Sequence, residues 1–355
     1  MDPIVIDWES TSTEILLNPR YPEDDQKKFV SWLRAIDGFS SHVWLATSGT
    51  SGKIKFTALS KKALLTSAEA VNRHLASNAS DVWLNALPDF HVGGLGIQTR
   101  SYLSGASVVD FKTWEPVQFT EVLRSNNVTL TSLVPAQLFD LVLSKKQCPP
   151  SLRAVIIGGG ALDEALYLRA RMLGWPVVPS YGLTECASQV ATATLDSKEL
   201  QLLSHVVVKI ENGFICIKSE ALLTAYAIVE NDGLNVFDPK KDGWLQTEDK
   251  GEVNGNILTV FGRASNFIKI GGESVDMLQL EGLLNKIKLN LNILDDMQLI
   301  AVPDERLGKV IHLLATGNVE SIVTHFNAEV LPFARIRKVT LCEKIPRTPL
   351  GKPIR

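Results

Sequence analysis

The sequence predicts an α/β protein whose large N-terminal part is built on a mostly parallel sheet, followed by a small α+β part. Three observations predict it. Short apolar runs bounded by turn residues alternate with helical stretches up to about residue 180, which is the pattern of strands joined by helical crossovers. From about residue 205 short strands dominate, separated by the Asn212-Gly213 and Asn254-Gly255 turn signals, which read as a small antiparallel β subdomain. After Gly262-Arg263 helices and strands mix again through Leu280–Ile287, Gln298–Val302, Val310–Thr316 and Ile322–Val330. The expected domains are therefore 1–263 and 264–355.

In order along the chain, residues 1–40 are mixed, with turns at Pro19 and Pro22. Val43–Ala46 and Phe56–Leu59 read as strands on either side of a Ser/Gly loop. Ser60–Ser77 has helical spacing with Ser60 as its cap. Val82–Leu87, Ser107–Asp110, Thr129–Val134 and Ala154–Ile157 read as buried strands, with helices over Pro116–Arg124 and Pro135–Ser144 between them. In Ala161–Leu173, Leu162, Ala165, Leu166, Met172 and Leu173 share one helical stripe, Asp163 and Glu164 sit in the first turn, and Gly174 ends the helix. The strand Pro176–Pro179 then delivers Ser180-Tyr181-Gly182-Leu183-Thr184-Glu185.

Composition narrows the function classes. The chain has 355 residues, 45% hydrophobic and 21% charged, which is globular and long enough for two domains. A formal net charge of −3 argues against a general nucleic-acid surface. Cys148, Cys186, Cys216 and Cys342 are scattered, so neither a zinc site nor a disulfide framework is expected. No apolar run approaches the length of a membrane span, and the N-terminus lacks a basic, then apolar, leader. A cytoplasmic protein without membrane insertion is the expectation; a homo-oligomer is compatible with the sequence.

The densest chemical signal is Thr47-Ser48-Gly49-Thr50-Ser51-Gly52-Lys53-Ile54-Lys55. A loop with so little side-chain bulk lets backbone N–H groups approach a polyanion, its hydroxyls donate to phosphate oxygens, and Lys55 adds charge. It is not a Walker loop, because Lys53 follows Gly52 at the wrong spacing. Taken alone, the segment also reads as a Ser/Gly surface loop, and Gly158-Gly159-Gly160 as a tight β–α turn.

The order of motifs resolves this. TSGTSGKIK (47–55) is followed by LPDFHVGGLG (87–96), IIGGGALDEAL (156–166), SYGLTECASQV (180–190), DGWLQTEDKG (242–251), GRASNFIKIGGESVD (262–276) and PRTPLGKPIR (346–355). In this order the sequence resembles the acyl-adenylate-forming superfamily of acyl-CoA ligases, adenylation domains and luciferases. The resemblance implies an acyl-CoA synthetase-like fold, with an active site between a large domain and a small mobile C-terminal domain. ATP, Mg²⁺ and coenzyme A are the expected cofactor and co-substrates.

The resemblance also implies roles. Thr47, Ser48, Gly49, Thr50, Ser51, Gly52 and Lys55 would hold the β- and γ-phosphates. Gly158, Gly159 and Gly160 would lie against adenine, with Ser180, Tyr181 and Gly182 beside it and Tyr181 stacking on the base. Thr184 would meet the α-phosphate and Glu185 the Mg²⁺. Asp249 would bind the ribose hydroxyls and Arg263 the ribose or phosphate, although Glu248 stands where the family has Gly. Ser265 falls at the hinge. Lys352 would bridge the attacking carboxylate and the α-phosphate. Gly271 and Gly272 would let the pantetheine arm pass close to backbone. His91 would wall the acyl pocket; no general base is required of it, because a carboxylate is already ionised at neutral pH.

Within the superfamily, TECASQV, GGGALDEAL and the short chain are most similar to the o-succinylbenzoate–CoA ligases of menaquinone biosynthesis. Their substrate is a dicarboxylate, so the carboxylate that is not activated needs an anchor. Arg100 is the candidate, with a surface helix arginine as the alternative. Two competing functions stand beside this one. One is activation of another aryl or medium-chain acid, or stand-alone adenylation. The other is a non-catalytic nucleotide-binding scaffold, suggested by the roughly forty-six residues before the phosphate loop.

Overall fold

The computed structural model describes residues 6–48, 54–230, 233–263 and 266–345. Its largest element is an eleven-stranded sheet with two halves. Five strands pair in parallel, in the spatial order Ser107–Asp110, Val82–Asn85, Leu130–Leu133, Ala154–Ile157 and Val177–Leu183. Beyond Val177–Leu183 every pairing is antiparallel, through Ser188–Thr192, Leu200–Leu202, Ile257–Arg263, Leu245–Asn254, Phe214–Ser219 and Val206–Glu211.

The parallel half is covered on both faces, as crossover connections require. Helices Pro116–Ser125, Pro135–Leu143 and Glu164–Met172 bury Phe119, Leu123, Leu138, Leu141, Leu166 and Ala170 on one side. Helices Lys61–Leu75 and Val92–Ser104 bury Val71, Leu75 and Ile97 against Trp83, Leu130 and Ile156 on the other. Ser60 caps the first of these, its hydroxyl accepting from the Ala63 N–H at 3.0 Å.

The antiparallel strands read as a β subdomain distribute over two sheets. Ala225–Glu230 and Gly233–Phe237 leave the large sheet and extend Ile54–Ser60, His42–Ser48 and Glu14–Leu16 into a five-stranded sheet. Alternation along His42–Ser48 explains why this sheet is buried on both faces. Val43 and Leu45 pack with Ile215, Ile217, Leu245 and Leu258 of the large sheet. Trp44 and Ala46 pack with Phe29 and Leu33 of helix Glu23–Arg34 and with Phe56. That helix is not evident in the sequence, because only Phe29 and Leu33 of its twelve residues are buried. Helix Val92–Ser104 is hidden for the opposite reason. It carries Gly93, Gly94 and Gly96, and it buries Thr99 and Arg100 with its apolar residues, so no polar face marks it.

The C-terminal residues form a core of their own. The hairpin Phe267–Ile270 and Glu273–Asp276 leads into helix Met277–Leu291. Strands Met297–Asp304, Gly308–Ala315 and Ile336–Leu341 form a sheet with helix Glu320–Glu329 beside it. Leu284, Leu299, Ile311, Leu313, Ile322 and Phe326 fill this core. The last turn of Met277–Leu291 rests on the large part: the Arg169 guanidinium donates to the Leu289 carbonyl at 2.7 Å and to Asn290 Oδ1 at 2.8 Å.

The amino ends of three adjacent parallel strands are pinned by one carboxylate. Asp81 accepts from Arg153 Nη2 at 2.7 Å and Nε at 2.9 Å, from Thr129 Oγ1 at 2.7 Å and from the Asn78 N–H at 3.0 Å. Burial by itself would raise this carboxyl, but the hydrogen bonds and charge of Arg153, with Thr129 and Asn78, override it and hold it at about 2. A depressed carboxyl stabilises the fold above its ordinary value near 3.8 and loses that contribution as pH falls toward 2. Asp81→Asn should therefore lower stability by about 2 kcal/mol at neutral pH. It should also flatten the acid limb between pH 4 and 2, read from urea unfolding across that range.

Candidate active site

Strand Val177–Leu183 is the joint of the large sheet, parallel to one neighbour and antiparallel to the other. Its carboxyl end carries Ser180, Tyr181 and Gly182 and runs into the turn Thr184–Cys186. The register shifts between Tyr181 and Gly182, so the returning strand crosses close by. A Cβ at position 182 would lie 2.1 Å from the Ser188 carbonyl oxygen, and only glycine allows that approach. Gly158 follows the adjacent strand Ala154–Ile157, and a Cβ there would stand 3.0 Å from Ser180 Oγ. The carboxyl ends of parallel strands are where open α/β sheets bind ligands.

Three elements converge on Glu185. Lys55, from the five-stranded sheet, places Nζ 3.3 Å from Glu185 Oε1. Tyr226, on the neighbouring strand Ala225–Glu230, donates its hydroxyl to the same oxygen at 2.7 Å. Lys55 Nζ also sits 4.0 Å above the Tyr226 ring. Burial and the Glu185 and Glu248 carboxylates push the Tyr226 phenol upward, so it stays a donor. Both contacts fall on Oε1. Oε2 takes neither and suits a hard divalent cation that brings phosphate and water oxygens as its other ligands. Among the described residues no group of three or more His, Cys, Asp or Glu side chains forms a metal site by itself.

Tyr181 links this cluster to a second carboxylate, its hydroxyl donating to Asp249 Oδ2 at 2.8 Å. Burial, then the charge of Asp249, raises the Tyr181 phenol. Arg263, paired with Asp249 across the hairpin, places Nε 3.5 Å from Asp249 Oδ1 and Nη1 3.5 Å from Glu248 Oε2. Glu248 thus shares the arginine with Asp249. Cys186, next to Glu185, is buried, and its thiol is pushed well up by burial and by the Glu185 charge, so it is no nucleophile.

Arg100 is not a surface arginine. It is 2% exposed, and Nη2 donates to Ser188 Oγ at 3.0 Å. Nε and Nη1 are buried with no hydrogen-bond partner among the described residues, and the guanidinium carbon lies 5.6 Å from the Trp83 ring. Burial lowers its pKa to about 10. Gly96, one turn earlier, leaves room for it: a Cβ there would be 3.0 Å from Nη2. His91 precedes the same helix, its ring 4.6 Å from that of Phe90. Phe90 and Val92, on either side of His91, pack on the core that holds Cys186 and Ala187.

The structure therefore brings together Lys55, Ser180, Tyr181, Gly182, Thr184, Glu185, Asp249 and Arg263, with Arg100 tied to the same turn through Ser188. Gly159 and Gly160 complete the turn after Ile157. Thr47 and Ser48 end a strand, paired with Lys55 and Ile54. Gly271 and Gly272, with φ of +59° and +89°, form the two-residue turn of the C-terminal hairpin, a conformation that itself calls for glycine. Gly49, Thr50, Ser51, Gly52, Ser265 and Lys352 lie outside the described residues. Sequence reasoning missed Tyr226 and Ser188. A tyrosine in a strand carries no signal beyond packing, and Ser188 stood inside a recognised motif without a role. Gly182→Ala should cost about 2–3 kcal/mol, because backbone rather than a flexible side chain must move. Thermal unfolding would show it, and an unchanged midpoint would contradict the close crossing.

The family model for AMP-binding enzymes matches residues 15–226, more than half of the chain. The 2-succinylbenzoate–CoA ligase of Lactococcus lactis is 27% identical over 327 residues, covering 88% of this chain and 69% of that protein. The enzyme of the same name from Bacillus subtilis is 30% identical over 283 residues, covering 75% and 57%. Among solved structures, o-succinylbenzoate CoA synthetase from Bacillus subtilis, in complex with the acyl-adenylate intermediate OSB-AMP, superimposes with a TM-score of 0.73 at 25% identity. That match covers 88% of this chain and 67% of the other. The Escherichia coli counterpart shares the fold, with a TM-score of 0.74 at 24% identity, over 93% and 79%. The chain spans 56–69% of the length of the curated relatives it matches. Motif order, the joint of the sheet and the match over residues 15–226 agree: this chain belongs to the AMP-binding enzyme family.

Proposed function

We propose that this protein is an AMP-forming acid–CoA ligase that converts o-succinylbenzoate, ATP and coenzyme A to o-succinylbenzoyl-CoA, AMP and pyrophosphate in the cytoplasm. One observation carries the choice of a dicarboxylic acid: the buried Arg100 guanidinium, two of whose nitrogens have no hydrogen-bond partner among the described residues. An uncompensated buried charge is costly, and an incoming carboxylate relieves that cost. A ligand with a single carboxylate, consumed in the reaction, leaves Arg100 without a counterion. The relatives' names point to the same acid.

The reaction divides into two steps. A carboxylate oxygen attacks the α-phosphorus of ATP, the bond to the bridging oxygen breaks, and pyrophosphate leaves. Lys55 and the Thr47–Gly52 loop hold the β- and γ-phosphates, Thr184 meets the α-phosphate, and Asp249 accepts the ribose hydroxyls. Lys352 bridges the carboxylate and the α-phosphate. Glu185 would hold Mg²⁺, which when bound would supply positive charge against the phosphates. These groups act by position and charge, as phosphoryl chemistry requires. The thiol sulfur of coenzyme A then attacks the acyl carbon, AMP leaves, and the thiol proton is lost to solvent. Residues 1–263 and 264–355 act as two lobes that turn about Ser265 between the steps. Gly271 and Gly272 line the thiol approach in the second arrangement, and His91 walls the acyl pocket.

Mass spectrometry of a mixture of protein, ATP, Mg²⁺, coenzyme A and o-succinylbenzoate should detect both acyl-AMP and acyl-CoA. ATP binding without acyl-AMP from this or any other acid would rule the reading out. Arg100→Met should raise KM for o-succinylbenzoate about 100-fold. It should leave the thermal midpoint unchanged or higher, because it removes an unpaired buried charge; an unchanged KM would remove Arg100 from the pocket. Lys352→Ala should abolish adenylate formation yet still convert supplied acyl-AMP to thioester, measured as separate half-reactions. Equal loss of both would contradict the two arrangements.

A further inference from the structure

We propose that Tyr226 is a positioning residue that holds the Glu185 carboxylate in place for a divalent cation while Lys55 moves from Glu185 to the phosphates. The inference rests on the reading of Glu185 as the magnesium ligand.

Lys55 and Tyr226 both engage Glu185 Oε1, at 3.3 Å and 2.7 Å. They differ in what they do next. An ammonium on a flexible four-carbon stem follows the largest nearby negative charge, and a triphosphate carries more than one carboxylate. When Lys55 turns to the phosphates, Oε1 loses that donor. Tyr226 stays, because its ring is fixed in the strand Ala225–Glu230 and packs against Phe237 with centroids 5.7 Å apart. Two rotatable bonds hold its hydroxyl, against four for the lysine ammonium.

The same segment grips Glu185 twice. The Leu223 N–H donates to the Glu185 carbonyl at 2.8 Å, and three residues later Tyr226 takes the side chain. Backbone and carboxylate are thus tied to one segment, Leu223–Tyr226, which enters a strand of the five-stranded sheet, although Glu185 itself follows a strand of the large sheet. With Oε1 occupied by the phenol, the carboxylate cannot rotate freely, and Oε2 remains for the cation. The Tyr226 ring has a second part, offering Lys55 a cation–π seat at 4.0 Å before the nucleotide arrives.

The test separates the hydroxyl from the ring. Wild type, Tyr226→Phe, Glu185→Gln and the double variant are titrated with Mn²⁺, followed by electron paramagnetic resonance. A non-cleavable ATP analogue is present, and acid and coenzyme A are omitted. The signal reads cation occupancy, not turnover. Tyr226→Phe keeps the ring, the Phe237 contact and the Lys55 seat. It should weaken Mn²⁺ binding roughly 5- to 10-fold, the size of effect expected for one ordinary hydrogen bond, because the phenol acts on the cation only through the carboxylate. The double variant should bind no more weakly than Glu185→Gln, because the hydroxyl acts only through that carboxylate. In steady state, Tyr226→Phe should raise the apparent KM for Mg²⁺ and leave that for the acid unchanged. Wild-type Mn²⁺ affinity in Tyr226→Phe, or additive losses in the double variant, would overturn the role of Tyr226 and spare that of Glu185. Wild-type affinity in Glu185→Gln would overturn the reading of Glu185 and the inference with it.

Discussion

The site depends on the place where the large sheet changes from parallel to antiparallel pairing. Strand Val177–Leu183 must satisfy a parallel neighbour on one edge and a returning antiparallel strand on the other. The return takes only Thr184–Ala187, and it forces Ala187 and Ser188 to φ of +53° and +132°. Backbone this tightly constrained cannot drift, so Glu185, at the middle of the turn, has a fixed origin. A glycine at 182 is the condition for the crossing. The same turn presents Ser188 to Arg100 on one side and Glu185 to Lys55 and Tyr226 on the other.

Around this turn the charges are arranged in short-range pairs. Glu185 faces Lys55, and Asp249 and Glu248 share Arg263. Tyr181 and Tyr226, both half-buried, donate to Asp249 and Glu185 and are raised by their surroundings, so they orient the carboxylates without adding charge. Arg100 breaks the pattern. Among the described residues it is the largest charged side chain buried this fully, and its guanidinium has as neighbours only a neutral hydroxyl and the face of Trp83. Enclosed with no ion-pair partner among the described residues, such a group keeps a strong attraction available for an anion, as functional sites do when they retain an unfavourable burial.

The fold and the machinery are separated in space. Asp81 ties the amino ends of three parallel strands, while the candidate site gathers at their carboxyl ends. The two faces of strand His42–Ser48 lie in different cores, so the five-stranded sheet that carries Lys55 and Tyr226 is clamped between helix Glu23–Arg34 and the large sheet. Lys55 and Tyr226 are adjacent because their strands pair, with Ile228 opposite Lys55, although 171 positions separate them in the chain.

The sequence by itself determined the α/β class, most of the strands of the parallel half, the Ser60 cap and the residue types of the nucleotide side. These are written locally, as apolar runs between turn residues and as motifs whose order survives without any contact being known. Helices Glu23–Arg34 and Val92–Ser104 were not legible, because one has too narrow an apolar stripe and the other is glycine-rich and buries polar Thr99 and Arg100 beside its apolar residues. Only the tertiary structure decided that the late strands divide between two sheets, that Arg100 is enclosed rather than exposed, and that Tyr226 reaches Glu185. Each of these depends on which distant strand becomes a neighbour. That choice is made by pairing edges and burying faces across the whole chain, and no local pattern records it.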